Sequence, residues 1–157
     1  MKQSIIYNEG DFENMVPFAG LFATDQEIKV ELSRFCETDC LLEILEEMPK
    51  VSNPRFVLIK GASRFEDAKY LKTFYNSLIE LIESWVGLDE NLIFITFFEY
   101  FNSGSAKAIG EMLSLLDDFF EDRLHIVWLS DDENFWATGK DYKDILEKES
   151  FVVKEIY

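Results

Sequence analysis

A chain of 157 residues is long enough for one domain with a sizeable core and too short for two of ordinary size. Aromatic residues make up 15% of it, with 15 Phe, which supplies ample apolar area to bury and excludes global disorder. Acidic side chains outnumber Lys and Arg by 31 to 15, a formal charge of −16 that repels nucleic acid and anionic membranes and leaves proteins as the expected partners.

The first ten residues, MKQSIIYNEG, lack the longer apolar core of a signal peptide. No run approaches the ~20 apolar residues that span a bilayer, so the cytoplasm is the expected compartment. Residues 4–7 and 27–32 read as short strands, the second because Ile28, Val30 and Leu32 alternate with charged or polar neighbours. The stretch between them, with Pro17 and Gly20, reads as a loop. Cys36 and Cys40 lie four apart, too close for a disulfide to gain much chain entropy and without the companions a structural zinc needs, so free thiols are expected. Thr38 or Asp39 caps a helix through Met48, with Leu41, Leu42, Ile44, Leu45 and Met48 on its inner side, and Pro49 ends it. After a connector at residues 50–54, residues 56–59 form an apolar strand, and Gly61 supplies the turn that follows.

A long helix is expected over residues 66–86, where Leu71, Phe74, Tyr75, Leu78, Ile82 and Trp85 keep helical spacing, with Gly87 as its C-cap. The unbroken apolar run 92–98 then predicts a strand covered on both faces. Small polar residues follow at Asn102, Ser103, Gly104 and Ser105. Asn or Ser suits a helix N-cap, and Ala106, Ile109, Met112, Leu113, Leu116 and Phe119 or Phe120 turn one helical face inward. Two hydroxyls therefore sit at a helix N-terminus, where the backbone N–H groups and the dipole favour an anion, including a phosphate esterified to one of them. Residues 124–129 give another buried strand. The acids at 131–133 open a short helical turn that Gly139 breaks, Asp141 caps a last helix through Leu146, and residues 151–156 alternate as an edge strand.

From residue 56 the order strand, helix, strand, helix, strand, helix, strand calls for right-handed crossovers and a mainly parallel or mixed central sheet. The fold class is α/β, a single domain over residues 1–157, in which the N-terminal strands extend the sheet at an edge or form a hairpin on it. There is no dinucleotide fingerprint and no Walker-type phosphate loop, and no cofactor or metal is implied. Nucleophilic catalysis by Ser103 or Ser105 needs a base, yet the sole histidine, His125, lies inside the apolar run LHIVWL, where packing with a hydrogen bond is its expected role. Capping alone accounts for small polar residues before a helix.

Three further stretches carry a family resemblance over roughly residues 51–157. Leu58-Ile59-Lys60-Gly61-Ala62-Ser63, with Glu66-Asp67 and Phe74-Tyr75, is similar to a Gly-Arg-Ser-x-Pro-Glu opening with a Phe-Tyr on the next helix. Tyr100-Phe101-Asn102-Ser103-Gly104-Ser105-Ala106-Lys107 is similar to Tyr-Phe-Asn-Thr-Ser-Ser-x-Lys. Val127-Trp128, with Asp131-Asp132-Glu133 and Gly139-Lys140-Asp141, is similar to a Trp followed by acids and a Gly-x-Asp. In order and spacing these resemble the SiaC family of bacterial regulatory phosphoproteins, which look like anti-sigma factor antagonist (STAS) domains. Ser103 stands where that family has Thr, Gly104 where it has Ser, Ala62 where it has Arg and Phe65 where it has Pro. Residues 1–50 carry strands and a helix outside the resemblance.

What the resemblance implies is a non-enzymatic switch, phosphorylated on the hydroxyl directly after the Asn, here Ser103. It also implies a cognate protein kinase, a metal-dependent phosphatase and, in some members, a diguanylate cyclase as target. Tyr100, Asn102, Gly104, Ser105, Lys107 and Ser63 are then the expected partner-binding loop. A second reading is a small enzyme or ligand-binding domain that gathers Ser63, Asn102, Ser103, Ser105 and Asp131 at the carboxyl ends of the strands, where open α/β sheets place their pockets.

Overall fold

The structure, a computed structural model, describes residues 4–7 and 17–156. These form six strands, β1 (Ser4–Tyr7), β2 (Phe18–Phe22), β3 (Pro54–Ser63), β4 (Asn91–Phe101), β5 (Leu124–Ser130) and β6 (Phe151–Glu155), and five α-helices. The helices are α1 (Asp25–Leu32), α2 (Thr38–Glu47), α3 (Ala68–Trp85), α4 (Ser103–Phe120) and α5 (Glu133–Leu146). The strands lie in one mixed sheet in the order of the sequence, β1-β2-β3-β4-β5-β6. β3 to β6 are parallel, β2 is antiparallel to β3, and β1 is in turn antiparallel to β2 at that edge.

Strand alternation separates two cores. Val57, Ile59, Leu92, Phe94, Phe98, Ile126 and Trp128 join the inner faces of α3 and α4, with Phe135, Tyr142 and Leu146 of α5 packed alongside. Phe56, Leu58, Ile93, Ile95, Phe97, Val127 and Leu129 point to the other face and pack with Ile28 and Leu32 of α1 and Leu41 and Ile44 of α2. Every residue from 92 to 98 is buried, as the apolar run requires of a strand sandwiched between helical layers. Crossovers of one hand in a sheet that grows in one direction place α3, α4 and α5 on the same side. The opposite face would be bare without α1 and α2.

Several sequence expectations are corrected. Residues 27–32 form most of α1 and not a strand: Thr24 Oγ1 accepts from the Glu27 amide at 3.2 Å, a capping hydroxyl before an acidic first turn. Its buried positions Ile28, Glu31 and Leu32 follow helical spacing, while Val30 is 46% exposed. The stretch around Pro17 and Gly20, expected as a loop, contains β2. The residue at the N-cap of α2 is Glu37, which makes no side-chain cap bond, so neither Thr38 nor Asp39 caps it. Gly87 follows Val86, the C-cap of α3.

Gly61 does not turn the chain but lies within β3 at φ 114°, a conformation glycine adopts without a Cβ penalty. There the register slips: Gly61 pairs with Phe98 and Ala62 with Tyr100, so Glu99 is the extra residue of a β-bulge. Nor does Gly139 break a helix. It is buried within the continuous α5, and a Cβ on it would stand 2.3 Å from Trp128 Cδ1. Asp141 lies inside α5 and caps nothing; Asp132 is the cap, accepting from the Asn134 amide at 2.8 Å.

Candidate functional site

The bulge at Glu99 decides what stands at the carboxyl end of β4. By shifting the alternation one residue, it sends both Phe98 and Phe101 into the core under α3 and α4. Tyr100 is left 39% exposed. Phe101 packs at a tilt against Phe135 with ring centroids 4.5 Å apart and meets Trp128 edge-on at 6.3 Å, so the chain enters α4 from an aromatic anchor.

The turn into α4 is tied to the carboxyl end of β3. Asn102 is the N-cap: its Oδ1 accepts from the Ser105 amide at 2.9 Å, and its Nδ2 donates to the Phe65 carbonyl at 3.0 Å. One side chain thus closes the helix and holds the neighbouring loop. Beneath it, Ser63 Oγ donates to Ser105 Oγ at 2.8 Å, and Ser105 Oγ donates to the Ser63 carbonyl at 3.1 Å. With the Ser63 proton committed to Ser105, the Tyr75 hydroxyl, 2.8 Å from Ser63 Oγ, must be the donor to it. Burial pushes the Tyr75 phenol above its ordinary range, which keeps that proton in place. The chain Tyr75 to Ser63 to Ser105 is therefore satisfied internally, as buried polar groups must be.

The two serines of the turn differ completely. Ser105 and Ser63 are fully buried, so they set the loop's shape beneath its surface. Ser103, the first residue of α4, is exposed, as are Gly104 and Lys107, and its side chain takes no part in the cap. A Cβ at Gly104 would meet Leu71 Cδ2 and Asn102 Oδ1 only at 3.7 Å, so glycine is not sterically required there. Tyr100 lies edge-on to Phe135, centroids 6.3 Å apart, under the guanidinium of Arg64 at 4.6 Å. Lys107, one turn beyond Ser103, lines one end of a groove of about 590 Å³ between α4 and α5.

His125 is remote from this site. It pairs with Ile93 near the amino end of β4, where its Nδ1 faces Ser150 Oγ at 2.5 Å and its Nε2 faces Asn91 Oδ1 at 3.2 Å. β4 runs from Asn91 to Phe101, about 30 Å of extended chain. The imidazole therefore lies at the opposite end of the sheet from Ser63, Ser103 and Ser105, and it pairs with Ser150 and not with any of those three.

Compared with known families, residues 42–156 match the sequence model described as SiaC family regulatory phosphoprotein. The chain belongs to the SiaC family. No curated protein and no solved structure matches it. The SiaC match begins inside α2, so α1 and β2 lie before it, although Phe22, Ile28 and Leu32 complete one of the two cores. Of the residues singled out from the sequence, Asn102, Ser63 and Ser105 are joined by direct bonds, with Ser103 and Tyr100 beside them. Asp131, the fifth member of the rim expected by the second reading, is exposed beyond β5.

Two residues of the candidate site escaped the sequence reading. Tyr75 entered through helical spacing on the inner face of α3 and through the family resemblance, neither of which points to its hydroxyl, whose partner lies 12 positions away. Arg64 sits beside Ser63 in the same turn, and that adjacency was the available signal.

Proposed function

We propose that this chain is a non-enzymatic switch, a STAS-like α/β domain acting in the cytoplasm. Phosphorylation of Ser103 by a cognate protein kinase controls its binding to a protein target, and a phosphatase resets it. Family resemblance points to a diguanylate cyclase as that target. The observation that carries the reading is the contrast within one turn, where Ser103 is exposed while Ser63 and Ser105 are buried and bonded to each other. A kinase approaching this loop meets the Ser103 hydroxyl and cannot reach the other two without opening the fold.

The product suits the fold. A phosphoserine brings about −1.5 to −2 charges at neutral pH, and at the first residue of α4 this charge faces the positive end of the helix dipole. The domain tolerates the phosphate, whereas an acidic or apolar partner surface docked against Tyr100, Gly104 and Lys107 does not. Enzymatic chemistry at the same rim lacks support, because both buried hydroxyls are engaged and the imidazole sits at the far end of the sheet.

Phosphosite mapping after incubation with the cognate kinase and ATP tests the proposal. Transfer should fall on Ser103, Ser103→Ala should abolish it while leaving target binding intact, and Ser103→Asp should weaken that binding less than the phosphate does. Quantitative transfer to any other residue overturns it.

A further inference from the structure

Arg64 stands between two residues that are both fastened to the turn bearing Ser103. On one side Ser63 is bonded to Ser105 through its hydroxyl and its carbonyl, and on the other the Phe65 carbonyl accepts from Asn102. Ser103 lies between Asn102 and Ser105. The backbone carbonyls on both sides of Arg64 are therefore held by side chains from both sides of Ser103, and the side chains of Arg64 and Ser103 are both exposed. Among the described residues, no carboxylate lies within ion-pairing distance of Arg64. The guanidinium instead rests on the exposed ring of Tyr100 at 4.6 Å.

We infer that Arg64 is the internal reader of the Ser103 phosphate: on phosphorylation its guanidinium leaves Tyr100 to pair with the phosphate, uncovering the Tyr100 ring at the partner surface. This rests on the proposal that Ser103 is the modified residue and adds how the modification is sensed. The chemistry favours the exchange. A guanidinium presents a planar fork of donors that fits a phosphate in a bidentate, charge-assisted pair, which is stronger than an exposed cation–π contact. Phosphorylation would thus alter the surface twice, adding an anion that is partly neutralised and exposing an aromatic face that was covered.

The test installs phosphoserine at position 103 during translation, so it does not depend on any kinase. The phosphate is titrated by ³¹P NMR, and the accessibility of Tyr100 is followed by photo-CIDNP, its signal assigned with Tyr100→Phe. A pairing guanidinium should lower the second phosphate pKa, ordinarily about 6, by roughly one unit relative to the Arg64→Gln protein. Tyr100 should become as accessible in the phosphorylated protein as in unphosphorylated Arg64→Gln, and Arg64→Lys should restore only part of the pKa shift. Equal phosphate pKa values with and without Arg64, an unchanged Tyr100 signal, or loss of the shift in Lys107→Gln instead of Arg64→Gln would overturn the inference. A kinase that modifies another residue would sink the switch at Ser103 and leave these measurements standing, so the two failures are separable.

Discussion

Ser103, Ser105 and Asn102 lie within four positions, yet each should respond differently to truncation. Ser103→Ala removes an exposed hydroxyl that caps nothing, so unfolding free energy should change by no more than about 0.5 kcal/mol. Ser105→Ala strips a buried partner from Ser63 and should cost about 1–3 kcal/mol. Asn102→Ala loses both the cap and the tie to Phe65, and about 0.5–2 kcal/mol is expected from the cap alone. Urea denaturation of the three variants reads this order. Equal losses at Ser103 and Ser105 would mean the exposed and buried hydroxyls have been wrongly distinguished. His125 gives a pH signature at the same scale. Burial, with Lys148 nearby, lowers its pKa below the ordinary 6.5, so below pH 6.5 the unfolded chain binds a proton that the folded chain resists. Stability associated with this group is intact above that pH and declines as pH falls toward the folded pKa. His125→Gln should flatten that part of the stability–pH curve.

At the scale of elements, α5 sets two effects against each other at Gly139. Helix propensity favours alanine over glycine by about 1 kcal/mol, but the added methyl would stand 2.3 Å from Trp128, and overpacking typically costs about 1–3 kcal/mol. Gly139→Ala should therefore be destabilising, measured as a lower denaturation midpoint; a raised midpoint would show that Trp128 moves aside freely. Cys36, between α1 and α2, and Cys40, in the first turn of α2, are free and buried. Burial, reinforced by Cys40, pushes the Cys36 thiol up to about 12, so little thiolate is present at pH 8. A disulfide reagent should leave Cys36 unmodified in the folded protein and react within seconds once urea is added.

Across the whole molecule, the α/β alternation after residue 56 was legible because long helices and doubly covered strands carry strong periodic signals. What was not legible shares a physical cause. Ile28, Val30 and Leu32 fit a two-residue period as well as a helix, and the decisive feature was the Thr24 to Glu27 cap lying just before them. Gly61 and Gly139 both looked like breaks because a missing side chain does not say whether the backbone turns or a neighbour approaches. The small polar stretch was readable as the entry to a helix, although the expected loop over residues 102–107 is mostly the first turns of α4, and which serine faces water depends on Ser63 and Tyr75, brought in by the crossover. The least readable described part, α1 and α2, packs on one face of the sheet. Deleting it would expose Phe56, Leu58, Ile93, Ile95 and Phe97, an apolar surface larger than monomers usually show. The fragment 51–157 should aggregate or lack near-ultraviolet circular dichroism; a monomeric, cooperatively unfolding fragment would show the N-terminal layer to be dispensable.

That layer also bears on how the chain is made. Strands laid down in sequence order can each join a neighbour already synthesised, so β3 to β6 grow by successive additions with short closures. α1 and α2 leave the ribosome before β3 to β6, but the floor they pack on includes Ile93 and Val127, which emerge some tens of residues later. This helical pair is thus expected to dock late although it is made before its floor, spending synthesis with Ile28, Leu32 and Ile44 unprotected, the exposure that invites chaperone binding. Pulse-labelled hydrogen exchange during refolding should find amides of α1 and α2 protected after those of β3, β4 and β5, and the reverse order would place the N-terminal helices in the nucleus.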